Sequence, residues 1–544
     1  MSAFERFDLD ERAATPREVA RRWREFHRQV RRVSSSRLAR LVGPLLGDAT
    51  RRRRLFDALR PPAREPRVLD PASVRVFPVN YVAASAASVS GDDARDAVEF
   101  IALSGDDPDE LFEKFRVALT TSKEWLLVTR DDEGARRATA GALYARRGDA
   151  DVIFADEVGD LATIPILKAP VVGPHTQLSY NVVGRPALLR RDAVARVGGL
   201  RPATGRAAEH DLYLRLLESR ATFAHVAMVL PGRTPEERHH PDLGADTVRV
   251  VSDALARRGV TARVRVGERP SLVTWSPQLT PWPTVDVLIP TRDRADLLRQ
   301  CVESVEASSY PHFTITILDN DSVEAPTRAF FARTPHRVVP CPGPFNYAAI
   351  INRGVAHSNA DYVVTLNNDT VVRTPDWLEQ LVGVASLPDV SVVGATLLDR
   401  HDVHEHDGIV IAPYPQHLRR GINYLVDDDW VLARRDVAAV TGAVQVISRA
   451  RYLDLGGMDE QLAVVMNDVD LCLRSQSDGA HVVMVPDVVI THFAGSSRGR
   501  LDPLSDRNLF VRRWDVFASL RDPYFAESLR LLGPTVQYRP PVPD

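Results

Sequence analysis

A chain of 544 residues exceeds one ordinary domain and predicts two or three. Its hydrophobic share of 44% suffices for buried cores, and a formal net charge of −3 excludes a molecule-wide nucleic-acid surface. Cys301, Cys341 and Cys472 are widely spaced, which excludes a C-x-x-C redox or zinc motif and fits a reducing cytoplasm.

Among 69 basic residues only Lys114, Lys123 and Lys168 are lysines. So general an arginine bias reads as genomic composition, not as phosphate chemistry. No stretch approaches the roughly 20 apolar residues of a membrane span, and the first residues lack a signal-peptide pattern. The expectation is a soluble, cytoplasmic protein, with peripheral contact at the inner face of the cell membrane left open.

Residues 1–70 hold 18 arginines against 10 acids. Val19, Trp23, Phe26, Val30 and Val33 recur at helical spacing and predict a basic helical extension. Such a helix either rests on anionic lipid or, with so short a stripe, packs on its own protein or a second copy. Residues 71–265 read as an α/β domain with strands at 74–79, 99–104, 125–132 and 151–157. The Pro-rich stretch 266–284 predicts a semi-rigid linker. A second α/β domain spans 285–500 and a tail spans 501–544.

Three blocks recur in the same order. WLLVTRDD (125–132) matches YVVTLNND (362–369), LLRRDAVARVGGLRP (188–202) matches VISRARYLDLGGMDE (446–460), and EHDLYLRL (209–216) matches NDVDLCLR (467–474). Three matches in register argue that one unit was duplicated.

The second copy concentrates polar groups at strand ends, where open α/β sheets bind ligands. VDVLIPTRDR runs into Pro290, Thr291 and Arg292; TITILDND ends at Asp319; YVVTLNND ends at Asn367, Asn368 and Asp369. Asp369 is a hard oxygen ligand suited to Mg²⁺ or Mn²⁺, or else a cap for a helix beginning near Pro375. His492 follows an apolar strand, as packing histidines do, but could share a metal with Asp369 if the two strand ends adjoin. Asp468 and Asp470 open a helix, and either can cap it or serve as a general base.

In this order these residues resemble the family-two glycosyltransferases of GT-A fold, in particular tandem-domain rhamnosyltransferase-like enzymes of bacterial surface-polysaccharide synthesis. The matching stretches include IPTRDRADLLRQCVESV (289–305), GPFNYAAIINRG (343–354), LNNDTVVRTPDWLEQLV (366–382), GGMDE (456–460), NDVDLCLR (467–474) and HFAGSSRG (492–499). The resemblance implies two tandem GT-A domains, Rossmann-like with a mostly parallel mixed sheet, the first of them degenerate. It implies that Pro290, Thr291 and Arg292 line the nucleotide pocket and Asp319 reads the base. Asn346 and Asn352 would order the nucleotide sugar. Asn367-Asn368-Asp369 stands where the family carries its D-x-D motif, with Asn in place of the first Asp. Asp369 and His492 would then hold Mn²⁺ or Mg²⁺, Asp468 would be the catalytic base, and Arg498 would neutralise the leaving diphosphate.

The activity so implied is metal-dependent, inverting transfer of a sugar from a UDP- or dTDP-linked donor, with dTDP-rhamnose one candidate, to a cell-surface or lipid-linked glycan. No nucleic-acid partner is implied, and a homo-oligomer is left open. The first copy has Thr129-Arg130-Asp131 at the metal position, Glu209 at the base position and no late histidine in MVLPGR (228–233), so it is expected to be silent. That silence and the missing first Asp also allow a second reading, a nucleotide-sugar-binding pseudo-enzyme or scaffold in a glycan-assembly complex.

Overall fold

The computed structural model describes residues 92–538, apart from 104–106, 131–132, 160–164, 421–427, 494–502, 518, 527 and 533–534. The extension expected over 1–70, the strand at 74–79, Asp131 and Arg498 lie outside the described residues. All that is described falls within one unit, Val79–Asp544. No helix among the described residues is long and apolar enough to cross a membrane.

Five strands build the first sheet: β1 (Val98–Leu103), β2 (Trp125–Arg130), β3 (Val152–Val158), β4 (Ala187–Arg190) and β5 (Phe223–Pro231), in the spatial order β1-β2-β4-β3-β5. A hairpin of β6 (Ala262–Val266) and β7 (Val273–Pro277) follows. The second sheet comprises β8 (Val285–Thr291), β9 (Phe313–Asp319), β10 (Arg337–Pro340), β11 (Tyr362–Leu366), β12 (Thr370–Val372), β13 (Val390–Leu398) and β14 (His404–His406). After a side hairpin of β15 (Ile409–Ile411) and β16 (Pro415–His417), it is completed by β17 (Arg435–Asp436), β18 (Val444–Ser448) and β19 (His481–His492). Its order is β10-β9-β8-β11-β18-β13-β19-β12, with β14 on β13 and β17 on β19. The central strands are nearly continuous apolar runs, such as VDVLI in β8 and VIFADEV in β3, because both faces of each are covered.

The duplication read from the sequence is a duplication of topology. In each copy a strand pairs parallel with the next (β1 with β2, β8 with β11), which pairs antiparallel with a third (β4, β18). The third pairs antiparallel with a fourth (β3, β13), and the fourth parallel with a fifth (β5, β19). Both last pairings are broken by a register shift at matching places, after Ala155 in β3 and after Ala395 in β13. The short helix α1 (Pro174–Ser179) precedes α2 (Ala208–Glu218), and α2 corresponds to α6 (Asn467–Ser477) of the second copy. In α2, Arg215 binds Asp211 through Nε at 2.8 Å and Gly199 O through Nη2 at 2.7 Å. In α6, Arg474 binds Asp470 and Gly457 O at the same two distances, 2.8 and 2.7 Å. Gly198-Gly199 and Gly456-Gly457 all have positive φ, so the glycine pairs of the repeated block are the left-handed turns these arginines clasp.

Within the Pro-rich stretch 266–284, expected as a linker, the segment 271–279 is built into the interior on alternate residues. VTWSP forms β7 with alternate residues buried, and Trp275 is fully buried, its indole N–H donating to Ser179 Oγ at 2.9 Å. One hydrophobic core runs from Val250, Val251 and Leu255 of α3 (Leu243–Arg257) through Trp275 to Val285, Val287 and Val393 of the second sheet. The halves are therefore fused.

A polar joint reinforces this. Asp436 of β17 accepts at Oδ2 from the backbone N–H groups of His175 (2.9 Å) and Thr176 (3.0 Å) at the start of α1. Its Oδ1 lies 2.8 Å from His175 Nδ1 and 3.0 Å from His481 Nδ1. The spacing of these three side chains would admit a cation, but both carboxylate oxygens are already engaged by N–H donors. Burial alone would depress the pKa of His175, yet Asp436 and Asp389 beside it raise it to about 9, so the imidazole is a cation at neutral pH.

Candidate active site

The short strand β12 positions the metal-type residues. It pairs antiparallel with the end of β19, Thr370 opposite His492, so the residue just before β12 is carried alongside the residue just after Thr491. Asp369 O accepts from Phe493 N–H at 2.8 Å, and Asp369 Oδ1 stands 3.5 Å from His492 Nε2. On the ring's other side His492 Nδ1 is 3.0 Å from Glu405 Oε2. Burial would lower the pKa of His492, but the two carboxylates flanking it raise it to about 9. Asn368 ties this turn to the first strand of the domain, donating from Nδ2 to Thr291 Oγ1 at 2.8 Å.

A crevice of about 160 Å³ opens beside His492. Asp468 lines it from the first turn of α6, with Tyr347, Asn367, Gly442 and Asn467 around it. The Asp468 carboxylate is aimed by backbone donors: Oδ2 accepts from Gly442 N–H at 2.8 Å and Oδ1 from Val469 N–H at 2.9 Å. Gly442 lets the two segments approach, since a Cβ there would stand 3.3 Å from Asp468 Cβ. Asp470, the other acid of the cluster, is held by Arg474, by Arg513 (2.8 Å) and by the indole N–H of Trp514 (3.0 Å). The structure thus separates a crevice acid from an anchoring one.

Not every residue implicated by sequence faces this crevice. Asn346 caps helix α4 (Tyr347–His357) through Ala349 N–H and donates to Glu460 O at 2.9 Å. Asn352 Oδ1 accepts from Tyr452 OH (2.6 Å) and Met458 N–H (3.0 Å), and its Nδ2 donates to Met458 O (2.9 Å). Both asparagines hold the turn after Gly457. Asp369 caps no helix, because α5 (Trp377–Ala385) starts after Asp376. Pro290, Thr291, exposed Arg292 and Asp319 sit at the adjoining ends of β8 and β9, outside the crevice lining. Asp319 Oδ1 accepts from Ser322 N–H at 2.9 Å, closing its own turn.

Sequence reading missed the residues contributed by the segment between β13 and β17: Glu405, His406, His417 and Arg420 all line the crevice. His406 Nε2 accepts from Gly408 N–H (3.3 Å) and Thr441 N–H (3.4 Å), so its proton sits on Nδ1, 2.8 Å from His417 Nδ1. Burial lowers both pKa values, that of His417 to about 4, and the pair is neutral. The HEHD run (404–407) was the available signal.

In the first copy Glu209 and Glu157 sit in ion pairs, and the registers of β2 on β4 and β11 on β18 set Arg130 at the place of Asn367, one position from the metal alignment expected. Glu209, the counterpart of Asp468, is clasped by Arg185 at 2.8 Å with both side chains buried, and Arg185 also reaches Glu237 at 3.4 Å. Glu157 pairs with Arg233 at 2.7 Å, and Arg130 donates to Gly159 O.

Residues 286–429 match the family model described as glycosyl transferase family 2. The chain carries a family-two glycosyltransferase domain. It is 31% identical over 410 residues to the O-antigen biosynthesis protein RfbC of Myxococcus xanthus, covering 70% of this chain and 31% of that one. It is 24% identical over 238 residues to the N-acetylglucosaminyl-diphospho-decaprenol L-rhamnosyltransferase of Mycobacterium tuberculosis, covering 38% of this chain and 75% of that one. The chain thus spans about a third of the first relative's length. Among solved structures it is similar to the mannosyltransferase PcManGT of Pyrobaculum calidifontis in complex with GDP-Man and Mn²⁺, at 19% identity and a TM-score of 0.31, covering 44% of this chain and 62% of that one.

Proposed function

We propose that this chain is a metal-dependent, inverting glycosyltransferase that moves a sugar from a UDP- or dTDP-linked donor to a cell-surface or lipid-linked glycan. The observation that carries the reading is the sharing of one crevice by Asp468 and His492, with Asp369 against the far side of that histidine. An imidazole nitrogen facing a carboxylate at 3.5 Å is a mixed N/O donor pair that would hold Mn²⁺ and would accept Mg²⁺. Once bound, the ion stabilises negative charge on the departing diphosphate.

Asp468 supplies the base. Its carboxylate takes the proton of the acceptor hydroxyl as that oxygen forms its bond to the anomeric carbon and the bond to the diphosphate oxygen breaks, leaving a nucleoside diphosphate. The backbone donors at Gly442 and Val469 hold the carboxylate aimed. Attack opposite the leaving group inverts the anomeric centre. Pro290, Thr291, Arg292 and Asp319, at the adjoining ends of β8 and β9, bind the nucleotide, and Arg498 meets the leaving phosphates. The first copy acts as a scaffold, since arginines occupy its acids. The rhamnosyltransferase activity named for the mycobacterial relative makes dTDP-rhamnose the first donor to try, and a lipid-linked acceptor would place the enzyme at the inner face of the membrane.

The deciding experiment screens UDP- and dTDP-sugars with Mn²⁺ for thermal stabilisation, then for release of free nucleoside diphosphate with glycan acceptors. A bound donor raises stability according to its affinity. A protein that is stabilised by a donor yet releases no diphosphate with any acceptor is the scaffold of the second reading.

A further inference from the structure

We propose that Glu405 is a positioning residue for the metal: it fixes the tautomer and ring orientation of His492 and so governs ion affinity without ligating the ion. The inference rests on the metal-dependent reading above. An imidazole that ligates through one nitrogen must keep its proton on the other, and an acceptor at that second nitrogen decides which lone pair is free. Glu405 Oε2 is that acceptor, 3.0 Å from Nδ1, which leaves Nε2, the nitrogen 3.5 Å from Asp369, as the ligating one.

The two ring nitrogens point away from each other. An ion held between Nε2 and Asp369 therefore lies across the ring from Glu405, too far for the same carboxylate to coordinate it. The backbone around Glu405 is built for this. Leu398 pairs with His404 and Leu397 with His406, so Glu405 is the extra residue of a β-bulge between β13 and β14. A bulge re-aims the side chain it carries, and such features recur beside active sites. None of the blocks that carry the family resemblance includes this residue.

The test measures Mn²⁺ affinity of the full chain by the electron paramagnetic resonance signal of free Mn²⁺ and by calorimetry, in the absence of donor. Wild type, Glu405→Ala, Glu405→Gln and His492→Ala are compared, with melting curves in EDTA to check folding. Glu405→Ala should bind Mn²⁺ about 10- to 100-fold more weakly, the usual cost of losing such a partner. Glu405→Gln should recover most of that loss, because its amide oxygen still accepts from Nδ1–H. Wild-type affinity in Glu405→Ala would overturn the proposal. So would an equal loss in both Glu405 variants, which would make Glu405 a ligand. Should the wild-type protein itself bind no Mn²⁺, the metal-dependent reading fails and this inference with it, an outcome distinct from the other two.

Discussion

Glu209 and Asp468 hold the same place in two copies of one fold, the second residue of a helix whose arginine clasps a Gly-Gly turn, yet only Asp468 faces a crevice. The carboxylate of Glu209 is closed off by Arg185 at 2.8 Å.

The base assignment makes the sharper claim. Asp468→Asn keeps the shape of the side chain and an oxygen to accept from Gly442, but removes the proton acceptor. Transfer should fall by about 100-fold or more, the usual range for loss of a general base, while Mn²⁺ and donor binding stay near wild type. Initial-rate transfer assays beside calorimetric binding check it, and near-normal transfer would reassign the base.

Glu209→Gln should show the opposite pattern. It removes the carboxylate that faces the buried Arg185 at 2.8 Å, and breaking one side of a buried pair costs about 3 kcal/mol or more. Denaturant melts should record that loss, while the transfer rate per folded molecule stays unchanged. A large fall in rate at unchanged stability would mean that the first copy takes part in chemistry.

Trp275→Ala should destabilise the whole described unit by about 3–5 kcal/mol, the range for truncating a buried aromatic residue. Because the core containing Trp275 joins α3 to the second sheet, unfolding should remain one transition at lower denaturant. Two separated transitions would show that the halves are independent.

The joint at Asp436 should give stability a basic limb. The pKa of His175 is raised in the folded state from 6.5 to about 9, with Asp436, Asp389 and His481 facing it. Its stabilising charge is fully present below pH 6.5 and is lost as pH rises through about 9. Melting temperature should therefore decline across that window in the wild type. In His175→Gln, which lacks the charge, the decline should be shallower, and parallel curves would remove His175 as its cause.

Much of this was legible in the sequence because apolar runs ending in polar turns mark strands, and because the repeated blocks sit in elements whose hydrogen bonds are themselves repeated. The pairing of Asp369 with His492 came through family resemblance; the physical reason is the register of β12 on β19, which no local pattern encodes. Asn346 and Asn352 also staple the turn after Gly457, a role that residue type alone does not signal, because a cap and a ligand contact use the same side chain. The Pro-rich stretch masked β7, although V-T-W-S-P alternates with the period of a half-buried strand. Glu405 and His417 come from short irregular strands with no periodicity, so only folding shows where they go.

The shared interior also bears on how such a chain can change. A duplicated copy on a flexible tether could be deleted once its own chemistry lapsed. Here, cutting away the first copy would strip α3 from the face of Trp275 and take His175 from Asp436, leaving apolar surface and a buried carboxylate open to water. The first half is part of the wall that the second half stands against, and selection for one then preserves both.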